Sequence, residues 1–532
     1  MNSPANRPQA PQESIGRSAF LVAAGIFLSR IFGLVRGSVF ANYFGLSWQA
    51  DAFTSALRIP NFLQNLLGEG VISASFIPVY AKLLAQGDRE ESGRVAGAIF
   101  SLLALVTSVL VLAGVLATPL LIALIAPGFH DERRPLAIQL VRIFFPGIGL
   151  LVFSAWCLGI LNSHRKFFLS YVSPVIWNLT IIVALLVWGG TKDLSQLAVY
   201  AAWAYVAGSA LQVLVQLPTV LRLAPALRFA LNTVDANVRV VIKNFVPVFI
   251  SRGVNQISGY VDIFLASYLP VSAVSALSNA QVLAMLPVSL FGMAISAAEL
   301  PGMSSALGNE QEVAEVLRRR IAASTRRIGF FVVPSAMAFL ALGDVIAGVI
   351  FQRGAFTRGN SMYVWAILAG SAVGLVASTT GRLYSSAYYA LRDTRTPLRY
   401  AVIRVILTTG LGYLCALPIP RMLGYPSWGA PGLTVSAGFA AWLEFTLLRR
   451  GMDRKIGKVP FPVSYFTKLW ASAAMAAIVA LAFNAFLQPH KPMVGAVVNL
   501  VPYGVSYLIL TAMMGIDEAA MLRRRFFGMV NK

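Results

Sequence analysis

The octapeptide "SRIFGLVR" occupies residues 29–36, inside an otherwise apolar run from Ala19 to Phe44. That run is long enough to cross a bilayer, which takes about 20 residues. Yet it carries Arg30 and Arg36, and a charge at the centre of a membrane helix costs roughly 2.5 to 3.5 kcal/mol on insertion scales. Such arginines must face a cavity, a partner or a ligand. Ser29 and Gly33 between and beside them offer a small-residue surface for packing or a hinge.

The rest of the chain repeats this pattern. It has 532 residues, of which 57% are hydrophobic and 12% charged, about half the charged fraction of a soluble globular protein. The apolar runs predict an all-α polytopic membrane protein with about 14 transmembrane helices. The segments at 50–84, 272–305 and 314–350 exceed a bilayer's thickness, so they are expected to tilt, kink or project into water.

The net charge of +22 does not signal nucleic acid, because the basic residues fall mainly in alternate loops. "KLLAQGDREESGR", "RRRIAASTRR", "LRDTRTPLR" and "RRGMDRKIGK" lie on one side, while "FGLSWQ", "TKD" and "YLP" lie on the other. That asymmetry is the positive-inside pattern, and it places both termini in the cytoplasm. Cys157 and Cys415 lie in apolar segments, and His130, His164 and His490 stand far apart near segment ends. Neither set reads as a disulfide framework or a metal site. Phosphate-loop and dinucleotide motifs are missing, and the loops are short, so no enzyme is expected and no cofactor is implied.

An internal repeat organises the spans. "FLSRIFGLVRGSVFANYF" resembles "FISRGVNQISGYVDIFLASYL", with Ser29-Arg30 matching Ser251-Arg252 at an offset of 222. Pro78 then matches Pro301, and Gly128 falls near Gly354, in the same order. The division is a polar tail (1–17), a six-helix N-lobe (18–225), a six-helix C-lobe (226–450), two extra helices (451–515) and a basic tail (516–532). Six spans per half make the repeats parallel, a transporter-like design with a substrate cavity between the lobes.

The charges inside the spans are the candidate site. The first half has Arg30, Arg36, Asp51, Arg58 and Glu69, with Arg142 in the fourth span; the second has Arg252, Asp262, Glu299, Arg382, Arg404 and Glu444. At about 100° per residue, Asp51 and Arg58 share a helix face, while Arg30 and Arg36 stand about 120° apart. Pro60 directly follows that face and is expected to kink the helix. A wet, arginine-rich cavity suits an anion, above all a phosphate or diphosphate, which guanidinium grips bidentately. Arg30, Arg36, Arg58, Arg252 and Arg382 are the candidate ligands. Asp51, Glu69, Glu299 and Glu444 are candidate ion-pair or ion-coupling residues. Two arrangements are open: Arg30 and Arg36 both line one wide cavity, or one of them pairs with Asp51 while the other faces a ligand, with Glu69 a second candidate partner for Arg30.

These residues resemble a known family. "LSRIFGLVRGSVFANYFGLSWQADAFTSALRIPNFLQNLLGEGVISASFIPVY" is similar to the N-terminal signature of the MurJ/MviN lipid II flippases: Ser29, Arg30, Gly33, Arg36, then Asp51-Ala52-Phe53, Pro60-Asn61, Glu69-Gly70 and Phe76-Ile77-Pro78. "APGF", "LNSHRKF", "FGMAISAAELPGMS", "FQRGAFT" and "YYALRDTRTP" extend the likeness along the chain. The resemblance implies a MATE-like (MOP) fold of two lobes with alternating access, plus two C-terminal helices grooved for a lipid tail. It implies transfer of an undecaprenyl-diphosphate-linked disaccharide-pentapeptide from the inner to the outer leaflet. The partners implied are that polyprenyl-diphosphate lipid, membrane lipids and the cell-wall synthesis machinery, with the protein a monomer and the coupling ion open.

This chain departs from the family pattern where arginines are usual. Gln64 and Asn65 follow Pro-Asn, Gln281 and Val282 replace an Asp-Arg pair, and Gly37 replaces an aspartate. A different polyprenyl-diphosphate-linked glycan is therefore an alternative cargo. A MATE-like small-molecule exporter is a further alternative, although exporters of cations favour acidic cavities.

Overall fold

A computed structural model describes residues 12–305, 309–489 and 491–520, with side chains described from residue 24 onward except at 250–258. Among these residues every regular element is helical. In the first half, α1 (Gln12–Phe44) leads to a span made of α2 (Trp48–Leu67), α3 (Glu69–Ser75) and α4 (Ile77–Ala85). Next come α5 (Arg89–Leu116), the short α6 (Thr118–Ile125), α7 (Arg133–Ser163), α8 (Phe167–Trp188) and α9 (Leu194–Leu223). The second half begins with α10 (Ala236–Ser267), α11 (Ala273–Pro287) and α12 (Ala294–Ser304), followed by α13 (Glu310–Ala341) and the short α14 (Gly343–Phe351). It continues with α15 (Arg358–Ala390), α16 (Arg395–Ala416), α17 (Pro418–Met422) and α18 (Gly429–Ile456), and α19 (Val463–Leu487) and α20 (Pro492–Met513) close the chain.

Eleven helical segments are long and apolar enough to cross a membrane, and the bent pair α13–α14 makes twelve. The long helices α10 and α18 carry more charge, including Arg239 and Lys243 on one and Glu444, Arg449 and Arg450 on the other. Among the described residues the apolar spans therefore number eleven or twelve, against about fourteen expected from the sequence, and α10 and α18 are the charged long helices that make up the difference.

The three overlong segments are each interrupted. The second breaks at Gly68 and Phe76. The eighth passes through a π-helical turn, Val288–Met293, between α11 and α12. The ninth bends by 83° between α13 and α14. At that bend the Trp365 indole donates a 3.0 Å hydrogen bond to the Leu340 carbonyl, satisfying a group the break would strand. The repeat is visible in these interruptions: a broken second span and a short helix after the third occur in both halves. The phenylalanines that end the matching "APGF" and "RGAF" stretches, Phe129 and Phe356, are both buried.

The chain forms two compact units. One comprises the chain up to Phe44 and Trp48–Tyr260; the other comprises Gly45–Ser47 and Val261 onward. In the first unit, Phe76, Val152, Trp156 and Ile160 form part of a core between α5 and α7, and the Trp156 indole donates to the Ala96 carbonyl at 3.1 Å. Beside it runs a buried polar string in which Gln212 and Gln216 donate to Ser154, and Gln216 also donates to Ser173. Close helix approach depends on glycine: a Cβ at Gly25 would stand 2.7 Å from Tyr171 Cβ, so α1 and α8 touch there. Gly33 has open space where a Cβ would stand and is no packing contact in this structure.

In the second unit, α15 and α18 cross with the Gly374 and Gly438 backbones in contact, the small-residue packing typical of membrane helices. The two extra helices dock on α13. Pro334 has no N–H to offer the Phe330 carbonyl one turn back, and the Tyr507 hydroxyl donates to that carbonyl at 2.7 Å instead. Tyr503 donates to the Pro334 carbonyl at 2.7 Å.

Candidate functional site

Arg58, Asn61 and Asn65 follow i, i+3, i+7 spacing and share a face of α2. With Gly259 and Tyr260 of α10 they line a cavity of about 140 Å³. That is less than the roughly 300–1,000 Å³ of a site for a drug-sized ligand, so it admits only a small group. The Tyr260 hydroxyl donates to the Arg58 carbonyl at 3.1 Å, and its ring meets Phe62 edge-on at 5.4 Å. A Cβ at Gly259 would lie 3.8 Å from Arg58 Nη1, so a bulkier residue there would press on the guanidinium. The described lining holds one guanidinium, two amides and a phenol, and no acid.

Arg36 connects to the cavity residue Asn61 through Tyr205. Its guanidinium stacks over the Trp177 ring at 4.6 Å, a cation–π contact. It also lies within electrostatic reach of Tyr205, whose hydroxyl donates to Asn61 Oδ1 at 3.4 Å. The chain Arg36–Tyr205–Asn61 thus links α1, α9 and α2, and it leaves the Asn61 Nδ2 hydrogens to face elsewhere. Arg30 is exposed, and no hydrogen bond or ion pair reaches it among the described residues. Ser29 is half-buried, Pro60 is buried inside α2, and Gly70 is in the first turn of α3. The side chain of Arg252 lies outside the described residues, as do the tails at 1–11 and 521–532 and His490.

The acids separate from the cavity. Asp51 is fully buried in the first turn of α2, and Arg133 Nη1 approaches it at 3.8 Å. Arg133 also grips Asp131 through Nε at 2.9 Å and stacks over Phe129. The expected shared face with Arg58 is real in angle, but seven residues of helix separate the two by about 10.5 Å along the axis. Glu69 opens α3, exposed, beside Tyr171. Glu299 pairs with Arg320 at 3.0 Å and Arg327 at 3.5 Å. Glu444 pairs with Arg404 at 3.1 Å, and Arg382 on α15 lies within electrostatic reach of both. Gln281 donates to Asp262 at 3.1 Å, so the glutamine that replaces a family acid is itself held by one, while Val282 is exposed.

Three titrating groups lie outside the spans. Asp131 is held below the usual carboxylate range: burial pushes it up, but the hydrogen bonds and charge of Arg133 outweigh that. Asp393 is pushed well down, chiefly by the Lys455 hydrogen bond at 2.6 Å and then by Thr396. His164, with Nε2 3.2 Å from the Tyr80 hydroxyl, is lowered by burial and by Arg89.

Sequence reasoning missed Arg133, Trp177, Tyr205 and Tyr260. Arg133 sits in "HDERRP", which hydropathy reads as loop, and the aromatics carry no local signal.

This helical order matches that of solved MOP-superfamily transporters. A MATE multidrug transporter of that superfamily, solved inward-facing, matches with a TM-score of 0.65 at 17% identity, over 82% of this chain and 98% of its own. A lipid II flippase MurJ solved in an inward-closed conformation matches with a TM-score of 0.73 at 22% identity, over 93% and 99%.

The family model "Lipid II flippase MurJ" matches residues 40–503. The probable lipid II flippase MurJ of Rhizobium tropici is 32% identical over 449 residues, 81% of each chain. The lipid II flippase MurJ of Burkholderia cenocepacia is 30% identical over 473 residues, 87% of this chain and 88% of its own. The chain belongs to the MurJ family.

Proposed function

We propose that this protein is a lipid II flippase, moving the undecaprenyl-diphosphate-linked disaccharide-pentapeptide from the inner to the outer leaflet of the bacterial inner membrane by alternating access. The observation that carries the reading is the family match across residues 40–503. The placement of cations supports it. Arg58 lines a small donor-rich cavity, and Arg30 and Arg382 have no hydrogen-bond or ion-pair partner among the described residues. A guanidinium inside a span needs an anion or water, and a diphosphate supplies the anion.

In this mechanism the polyprenyl tail stays in lipid while candidate arginines meet the diphosphate: Arg30, Arg58 and Arg252 in the first unit and, separately, Arg382 in the second. Arg36 acts through Tyr205 to orient Asn61. Neutralising these arginines lowers the cost of withdrawing them from water, which biases the protein toward its closed state. The protein moves its cargo without covalent chemistry or a cofactor, as a monomer with both termini cytoplasmic, and delivers it to the cell-wall synthesis machinery. The drive is an ion gradient, the membrane potential or downstream consumption of the delivered lipid. Of the four candidate coupling acids, Asp51 and Glu299 stand in ion pairs, which favours structural roles for them, while Glu444 pairs with Arg404 beside a second arginine, Arg382.

The test is rescue of a bacterium depleted of its own lipid II flippase. Wild type is expected to restore growth, and Arg30→Ala and Arg58→Ala at equal membrane levels are not. Failure of well-expressed wild type would exclude lipid II as the cargo.

A further inference from the structure

Arg382, Arg404 and Glu444 form a cluster with two positive charges and one negative. Arg404 Nη1 meets Glu444 Oε2 at 3.1 Å through a single contact, with side-chain exposures of 34% and 14%. Arg382 is exposed and feels both, yet no hydrogen bond or ion pair reaches its guanidinium among the described residues. It lies eight residues before the end of α15, about 12 Å of helix. Tyr389, one i+7 step along the same face of α15, is exposed and lies within electrostatic reach of Glu444. The contact of Gly374 with Gly438 fixes α15 against α18 and thereby fixes the spacing of Arg382 and Glu444.

One carboxylate cannot neutralise two arginines. A diphosphate can, because it carries at least two charges and has oxygens enough to accept from both guanidinium forks. Its arrival would place it against Glu444, and like charges at close range repel. We propose that Glu444 is an exchangeable internal counter-ion: it holds Arg404 while the site is empty, and a phosphoryl group displaces it and bridges Arg404 to Arg382. This rests on the flippase reading for its natural ligand, the diphosphate of a polyprenyl lipid. A membrane phospholipid's phosphodiester carries a single charge and would bring only the bridging oxygens.

The consequence is directional. Removing an acid that only stabilises the fold does not improve ligand binding, whereas removing a competitor does. The full chain in phosphatidylcholine nanodiscs would be titrated with undecaprenyl diphosphate and, separately, with phosphatidylglycerol. Glu444→Gln is expected to tighten binding of the diphosphate lipid at least threefold. Arg382→Gln, which breaks no protein contact, is expected to weaken it at least tenfold. Adding Arg404→Gln to Glu444→Gln should abolish the tightening. Tightening with phosphatidylglycerol alone would support the exchange and assign the site to a phospholipid. Unchanged or weaker binding of both lipids by Glu444→Gln, or unchanged binding by Arg382→Gln, would overturn it. The flippase reading fails separately, through absence of rescue by wild type.

Discussion

The carboxylate of Asp51 lies 3.8 Å from Arg133 Nη1, with the aspartate fully enclosed and the arginine 8% exposed at its side chain. Arg133 Nη1 is buried and makes no hydrogen bond, so this charge contact is its compensation. The pair ties the start of α2 to the start of α7. Arg133 keeps Asp131 when Asp51 is lost, so the cost is that of leaving the buried Nη1 without compensation, about 1–3 kcal/mol. Asp51→Leu is therefore expected to lower the thermal midpoint in detergent clearly. Asp51→Leu/Arg133→Met is expected to recover much of the loss, because an apolar pair leaves no charge stranded. Equal midpoints for wild type and Asp51→Leu would contradict the pairing.

Tyr507 repairs a proline defect. Its hydroxyl serves the Phe330 carbonyl that Pro334 leaves without its helical donor. Tyr507→Phe is expected to cost about 1–2 kcal/mol and to loosen α20 from α13. Hydrogen exchange would register faster opening at Phe330–Pro334. Unaltered exchange there would show that the carbonyl finds another donor.

Acid should weaken the turn before α16. Asp393 accepts from Lys455 and from the Thr396 backbone and hydroxyl, and these hold its carboxyl well below the usual range. A depressed carboxyl contributes stability that is complete above its unfolded value, about 3.9, and is lost as pH falls through the lower folded value. The advantage of wild type over Lys455→Met in thermal midpoint should be constant above about pH 5 and shrink below it. An advantage that stayed constant to pH 3 would refute the assignment.

Arg36 should tolerate lysine poorly. Its plane lies on Trp177, and lysine keeps the charge while losing the planar stack. Cation–π contacts of this kind are worth about 0.5–2 kcal/mol. Arg36→Lys is expected to give partial rescue of flippase-depleted cells and Arg36→Ala none. Tyr205→Phe, which removes the link to Asn61, should resemble Arg36→Lys. Full rescue by Arg36→Ala would remove Arg36 from the account.

Much of this was legible in the residues. Hydropathic length identified fourteen segments and marked the three overlong ones, because a bilayer sets a ruler that Gly68, the Val288–Met293 turn and Leu342 then break. Helical angle put Asp51 and Arg58 on one face but is blind to rise along the axis, and that rise assigns them to different neighbours. The pairing expected for Asp51 with Arg30 or Arg36 gives way to Arg133, which hydropathy places in a loop. Contacts such as Tyr205 to Asn61 and Tyr260 to Arg58 join residues 144 and 202 positions apart. No local pattern encodes such contacts, since packing alone brings those helices together.

The central claim is that this chain carries lipid II across the membrane. The most direct measurement is the outer-leaflet pool of lipid II in cells whose own flippase is shut off, read by its cleavage with an externally added enzyme that cannot cross the membrane. The account predicts that wild type restores cleavable lipid II and that Arg58→Ala, at the same membrane level, leaves it inside. Wild type that reaches the membrane yet leaves the outer pool at the depleted level would contradict it.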